Sequence, residues 1–320
     1  MTSINQDSTN FPNKYFARYA WFVLVFNIFV ILWGAVVRAT GSGAGCGNHW
    51  PSCNGEVIPP LPQIETLIEF THRLTSGLAF LFVLVMLIWA LRVYPKGHHV
   101  RKASGAAMIF IISESLVGAG LVLFEWVAGN ISTERIIVMG IHLLNTHLLL
   151  GAIVLAAWWA SGGKPLQLSE QSNKLKWRFV ISIIGVLVLS MVGAVTALGD
   201  TLFPAETLVE GILQDLSPAS HFIVRLRIWH PVIAAAVGLY LIKFSFSLAS
   251  DSRSTWNRRF AIGLGILFAF QLAAGMVNLI LLAPVWMQII HLLLADLVWI
   301  FLILLAAETL SLTTAVNVIE

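Results

Sequence analysis

The sequence predicts an all-α integral membrane protein whose eight transmembrane helices form two pseudo-symmetric four-helix bundles. Three observations carry this. Of the 320 residues, 58% are hydrophobic and 11% charged, more apolar surface than a soluble domain of this length can bury. Apolar runs of about twenty residues, each able to cross roughly 30 Å of hydrocarbon, fall near 18–38, 67–92, 104–124, 136–160, 179–198, 223–247, 260–283 and 288–311. The first four of these runs also resemble the last four.

Taken in order, residues 1–17 are a polar tail, and the run after them continues past signal-peptide length without a small-residue cleavage pattern, so it reads as a retained first span. Residues 18–160 form the first bundle. A polar linker, SGGKPLQLSEQSNKLK at 161–176, closes it, and the linker region as a whole runs over 161–178. Residues 179–311 form the second bundle and 312–320 a final tail. The duplication is visible where GAVVRATG in span one answers GAVTALGD in span five, THRLTSGLAFLFV answers WHPVIAAAVGLYLI, and IHLLNTHLLLGAIVLAA answers IHLLLADLVWIFLILLAA. Four spans return the chain to its starting side, so the repeat is parallel.

Charge sets the orientation. The segments sharing a side with the termini hold Lys14, Arg18, Arg92, Lys96, Arg101, Lys102, Lys164, Lys174, Lys176, Arg178, Lys243, Arg253, Arg258 and Arg259, fourteen of nineteen basic residues. Both termini are therefore expected in the cytoplasm. The other side collects Glu56, Glu65, Glu125, Glu134, Asp200, Glu206, Glu210 and Asp215. The net charge of +3 is small. Membrane lipid is the expected surrounding, and no nucleic-acid partner is expected.

The duplication aligns four histidines, His72, His142, His230 and His291, one on each even-numbered span. Each sits about four to seven residues into its span, roughly 6–11 Å deep. An ionisable residue inside a membrane span is a functional candidate by default. One such histidine could simply bond a neighbouring helix, but four matched by position and by repeat point to ligation. Two imidazoles on facing helices of a four-helix bundle suit a heme iron held from both sides. Zinc suits them less, because a structural site needs about four converging ligands and these are divided two and two.

The stretch CGNHWPSCNGEVIPPLPQIETLIEFTHR, from Cys46 to Arg73, concentrates the remaining chemistry. Glu69 and His72 stand three apart and share a helix face. Cys46 and Cys53 lie in a loop on the side away from the termini, where a disulfide would close a small ring above that pair. A loop staple and a redox-active pair are both open readings. Without a CxxCH sequence, a heme here is held by ligation and packing alone.

Arg225 and Arg227 break the charge pattern near the mouth of span six and are candidates for heme propionates, with snorkelling to the interface as the alternative. Arg38 and Arg73 are candidates for propionate or carboxylate partners. His147 lies about 140° around the helix from His142 and so faces elsewhere; His221 reads as interfacial, His98, His99 and His49 as loop residues. Glu114 and Asp296 lie inside spans and need a partner or a proton, and the sequence names none for Glu114.

The run GAVVRATGSGAGCGNHWPSCNGEVIPP, followed by EFTHR and IHLLNTHLLLGA, resembles the heme A synthase family across all eight spans. The resemblance implies a plasma-membrane oxidoreductase that converts a methyl group of heme O to the formyl group of heme A. It implies that His230 and His291 ligate a resident b-type heme, that His72 and His142 flank or ligate the substrate heme O, that Glu69 is the essential carboxylate and that Cys46 and Cys53 are the loop pair. It also implies partners: the enzyme that makes heme O, the terminal oxidase that receives heme A, and an electron acceptor. This chain departs in placing Pro231 after His230, where an arginine can stand in the family. The competing reading is a diheme b-type cytochrome for quinol electron transfer. It does not account for the carboxylate one turn before His72, where the second half has Arg227. A transporter would need a wider polar path than these apolar spans offer.

Overall fold

The computed structural model describes residues 13–59, 63–251 and 254–311. Most of both tails and Arg253 lie outside the described residues. Eight helices or helix pairs are long and apolar enough to cross a membrane. The first four are α1 (Lys14–Ala39), α2 (Ile64–Val93), α3 (His99–Leu123) and α4 (Thr133–Ala160); then come α5 (Asn173–Leu202), a short α6 (Leu208–Leu216), α7 (Phe222–Leu226), α8 (Trp229–Asp251), α9 (Thr255–Ile280) and α10 (Val285–Thr309). Each span begins within a few residues of its apolar run. The extra turn comes from polar residues that cap the free N–H groups: Asn13 accepts from Tyr15 and Phe16, Ser132 from Arg135, Ser172 from Leu175 and Ser254 from Asn257.

Span six is broken. Residues 223–247 read as one apolar span, but Pro231 has no N–H to offer the Arg227 carbonyl, and His230 N–H reaches that carbonyl instead, at 3.2 Å. The chain therefore turns between α7 and α8, just before the histidine. The short helix α6 lies between spans five and six.

Neighbouring helices follow the same order in each half. Helices α1 and α3 each pack against both α2 and α4, and in the second half α5 and α9 each pack against both α8 and α10. Helices α2 and α4, and likewise α8 and α10, are thus diagonal to one another, and it is these helices that carry the four histidines. Lipid tails supply no hydrophobic drive between helices, so close approach over small residues does this work. Gly263 of α9 is one such residue, since a Cβ there would collide with the Phe301 ring of α10.

The halves meet through α1 and α4 on one side and α5 and α10 on the other. One continuous apolar core runs through both and includes Phe16, Met86, Leu150, Phe179, Phe268 and Trp299. Polar groups cross-link the seam at two levels. Trp299 Nε1 donates to the His147 carbonyl at 2.6 Å, and the His147 ring, 0% exposed, lies 3.3 Å from Ser190 Oγ. Nearer the end that holds the cysteine loop, Arg38 donates to the Ala197 carbonyl (2.7 Å), Thr201 Oγ1 (2.8 Å) and Gln288 Oε1 (2.7 Å). Arg38 thus ties α1 to α5 and α10. Removing it in Arg38→Ala should lower stability by about 1.5–3 kcal/mol, the worth of hydrogen bonds to a charged donor, read as a lower thermal midpoint in detergent.

Candidate heme sites at the loop end of the bundles

The cysteine loop is clamped onto α2. Cys46 and Cys53 are disulfide-bonded with S–S 2.03 Å, and both are buried. Glu69, 3% exposed, receives the Cys46 N–H at Oε2 (2.8 Å), while its Oε1 receives Arg73 Nε (3.0 Å) and Nη2 (2.5 Å). Arg73 in turn donates from Nη1 to the carbonyls of His49 (2.5 Å) and Ser52 (2.6 Å). A carboxylate and a guanidinium one turn apart on α2 therefore bind the loop from both ends. Gly45 permits the contact: a Cβ there would fall 2.5 Å from the Glu65 carbonyl, and Thr66 Oγ1 donates to the Gly45 carbonyl at 2.7 Å.

One turn along α2, His72 lies against Gly34 of α1, where a Cβ would sit 2.9 Å from its ring. The second half repeats this arrangement: His230 lies against Gly193 of α5 and His291 against Gly275 of α9, each 3.0 Å from the position of a Cβ. The glycine of GAVVRATG and that of GAVTALGD thus do the same thing, giving an imidazole room against the neighbouring helix. His142 differs. Its Nδ1 is 3.2 Å from Glu114 Oε1.

The His230 and His291 rings have centroids 6.3 Å apart and planes at 84°. Two metal–nitrogen bonds of about 2 Å each, with each ring centre about 1 Å beyond its nitrogen, separate two imidazole centres by roughly 6 Å. The pair therefore has the spacing of two axial ligands to one metal. Nδ1 of His72, His142, His230 and His291 is buried without a hydrogen-bond partner among the described residues, although that of His142 lies 3.2 Å from Glu114 Oε1, a costly arrangement that ligation through that nitrogen would relieve. Among the described residues, no three of His, Cys, Asp and Glu gather to hold a metal. Two imidazoles per site suit a group that brings its other four ligands with it, as a porphyrin does.

The remaining candidates go elsewhere. Arg225 is exposed. Arg227, 7% exposed, donates to Asp215 (2.8 Å), Asp200 (3.2 Å), the Phe203 carbonyl (3.1 Å) and Gln214 (3.3 Å), so two carboxylates occupy it and tie α6 to α5. It stands three residues before His230, as Glu69 does before His72, with the opposite charge. His221 caps α7 and stacks on Phe203 at 5.3 Å. Asp296 is 0% exposed and its carboxyl oxygens meet no partner among the described residues. Sequence reasoning left Glu114 alone; besides His142 it is held by Asn145 and Thr146. The signal was present, since those three residues stand at i, i+3 and i+4 on α4.

The fold and these histidines define a multi-pass membrane protein built around paired intramembrane imidazoles. The chain belongs to the cytochrome oxidase assembly protein family, whose model it matches over residues 17–303. It is 55% identical over 295 residues to a protoheme IX farnesyltransferase of Thermus thermophilus, covering 92% of this chain and 48% of that one. It is also 47% identical over 97 residues to a heme A synthase of Alkalihalophilus pseudofirmus and 45% identical over 97 residues to one of Halalkalibacterium halodurans, each match covering 30% of this chain and 33% of the relative. The chain thus spans about half the length of the Thermus relative.

Arg73→Ala should strip a buried carboxylate of its counter-charge, at a cost of about 3–5 kcal/mol. Its thermal midpoint should fall, and the Cys46–Cys53 bond should be reduced faster by added thiol than in the parent protein.

Proposed function

We propose that this protein is a heme A synthase, a membrane oxidoreductase that converts a methyl group of heme O to the formyl group of heme A. Family membership and the partial matches to heme A synthases support this, and the observation that carries it is the perpendicular pair of His230 and His291 at 6.3 Å. The second bundle, 179–311, is the cofactor half, where His230 and His291 would hold heme b. The first bundle, 18–160, is the substrate half, with heme O between His72 and His142 on the diagonal helices α2 and α4.

Taking an unactivated methyl to an aldehyde adds one oxygen atom and removes four electrons and four protons in two two-electron steps, beyond any side chain; a bound heme would relay the electrons to an external acceptor. The chain's own residues bind, orient and move protons. Gly34, Gly193 and Gly275 set the imidazoles at a fixed distance from their helices. Glu69 stands one turn from His72, its carboxylate held by the Cys46 N–H and by Arg73, and would serve as an acceptor for a proton released as the methyl is oxidised. The loop closed by Cys46 and Cys53 holds Glu69 through the Cys46 N–H and roofs the start of α2, keeping bulk water from the reacting edge.

The charge pattern supports cytoplasmic termini in the plasma membrane and a cysteine loop on the oxidising outer side. The Thermus relative, named for farnesyl transfer to protoheme IX on a chain about twice as long, supports a partner enzyme in heme synthesis. The terminal oxidase is the proposed recipient of the product. A diheme electron-transfer cytochrome would need neither Glu69 nor Glu114 beside its histidines.

The test is to purify the protein from cells that make heme O, extract its hemes and separate them. The parent protein should yield heme B together with heme O or A. Glu69→Ala should retain heme B and lose heme A, whereas unchanged heme A in that variant would sink the assigned role. His291→Ala should lose heme B.

A further inference from the structure

The two bundles differ in what stands behind the histidine of their last helix. Laid over one another on His142 and His291, α4 and α10 place Asn145 opposite Leu294 and Thr146 opposite Ala295. Laid over one another on Gly118 and Gly275, α3 and α9 place Ser113 opposite Phe270 and Glu114 opposite Gln271. In the first bundle these positions form one network. Glu114 Oε1 lies 3.2 Å from His142 Nδ1 and receives Thr146 Oγ1; Glu114 Oε2 receives Asn145 Nδ2 at 2.6 Å; Ser113 Oγ donates to Asn145 Oδ1 at 2.7 Å. In the second bundle only the amide of Gln271 remains, with its Nε2 3.2 Å from His291 Nε2, and the rest of the cradle has become apolar.

The differences agree with one another. Two donors on one face of α4, Asn145 and Thr146, converge on one carboxylate beside His142 Nδ1, and where the carboxylate is lost, so are those two side chains. The histidine follows its partner: His291 packs against Gly275, whereas a Cβ on Gly118 would meet nothing within 4 Å. A carboxylate buried in hydrocarbon without partners is expensive, so a carboxylate given its own cradle beside a ligand histidine is there for what it does to that histidine.

We propose that Glu114 is a positioning residue for His142: its carboxylate accepts the Nδ1–H, directs Nε2 toward the porphyrin face, and makes the first bundle's ligand the more electron-rich of the two. This rests on the reading of His72 and His142 as a heme site. A carboxylate bonded to a ligand imidazole fixes its tautomer and raises its basicity, and a nearby negative charge favours the more highly charged ferric state. A neutral amide beside His291 does neither. The iron held by His142 is therefore harder to reduce than the same iron with an amide at position 114, and the chain builds two unlike potentials from one duplicated fold.

The experiment is a spectroelectrochemical titration of the full-length protein purified with its hemes, the first-bundle heme being identified by its absence in His142→Ala. Glu114→Gln should keep both hemes, shift the midpoint of the first-bundle heme upward and lower kcat about tenfold or more. Gln271→Glu should shift the second-bundle heme downward. An unmoved potential in Glu114→Gln with both hemes retained overturns the inference and leaves the heme A synthase reading standing. Loss of the first-bundle heme from Glu114→Gln also overturns it, because the carboxylate is then only part of the packing. A parent protein with no heme that depends on His142 removes the first-bundle heme site itself, and the inference with it.

Discussion

Within hydrocarbon there is no water to satisfy a polar group, so every polar side chain inside the spans must find its partner in the protein or in what the protein binds. This constraint explains where the chain spends its few polar residues. Arg38 is saturated by acceptors from two helices of the other half, Arg227 by two carboxylates, and Glu69 by Arg73 and the Cys46 N–H. Against that background the imidazoles of His72, His142, His230 and His291 each keep a buried nitrogen without a hydrogen bond among the described residues, as Asp296 does its two carboxyl oxygens. They are the groups best placed to take a partner from outside the chain.

The same constraint explains the geometry. Helices packed around a ring leave their diagonal members apart, and the histidines lie on those diagonals. Glycine on the adjoining helix lets the rings of His72, His230 and His291 approach the neighbouring backbone closely. The result for His230 and His291 is a pair of rings already at axial spacing.

The two halves share one order of helix neighbours and differ in charge. One turn before the even-span histidine the first half has Glu69 and the second has Arg227. Each clamps a loop from the same end of its bundle: the disulfide loop in the first half, the helix α6 in the second. Beside the last histidine of each half stands Glu114, at Nδ1 of His142, or Gln271, at Nε2 of His291. Two histidine pairs on the same frame of helices thereby acquire unlike electrostatics, which suits a division of labour between substrate and cofactor.

Much of this was legible in the sequence. The eight spans follow from the length of the apolar runs, because the thickness of hydrocarbon leaves little choice. The histidines were found because repetition marks equivalent positions, and the family is carried by Cys46, Cys53, Glu69 and the histidines together. What partners the charges was not legible. Arg38 and Arg73 read as candidates for propionate or carboxylate partners and Arg227 as a propionate candidate or a snorkelling residue, and only the packing of α1 against α5 and α10, of the loop against α2, and of α6 against α7 decided their acceptors. The break before α8 was foreshadowed by Pro231, but the independent helix α6 was not. Composition and periodicity report how each segment meets the membrane, which is a local property. Which polar groups meet across segments depends on helix rotation and on which helices are neighbours, and that was decided only when the chain packed.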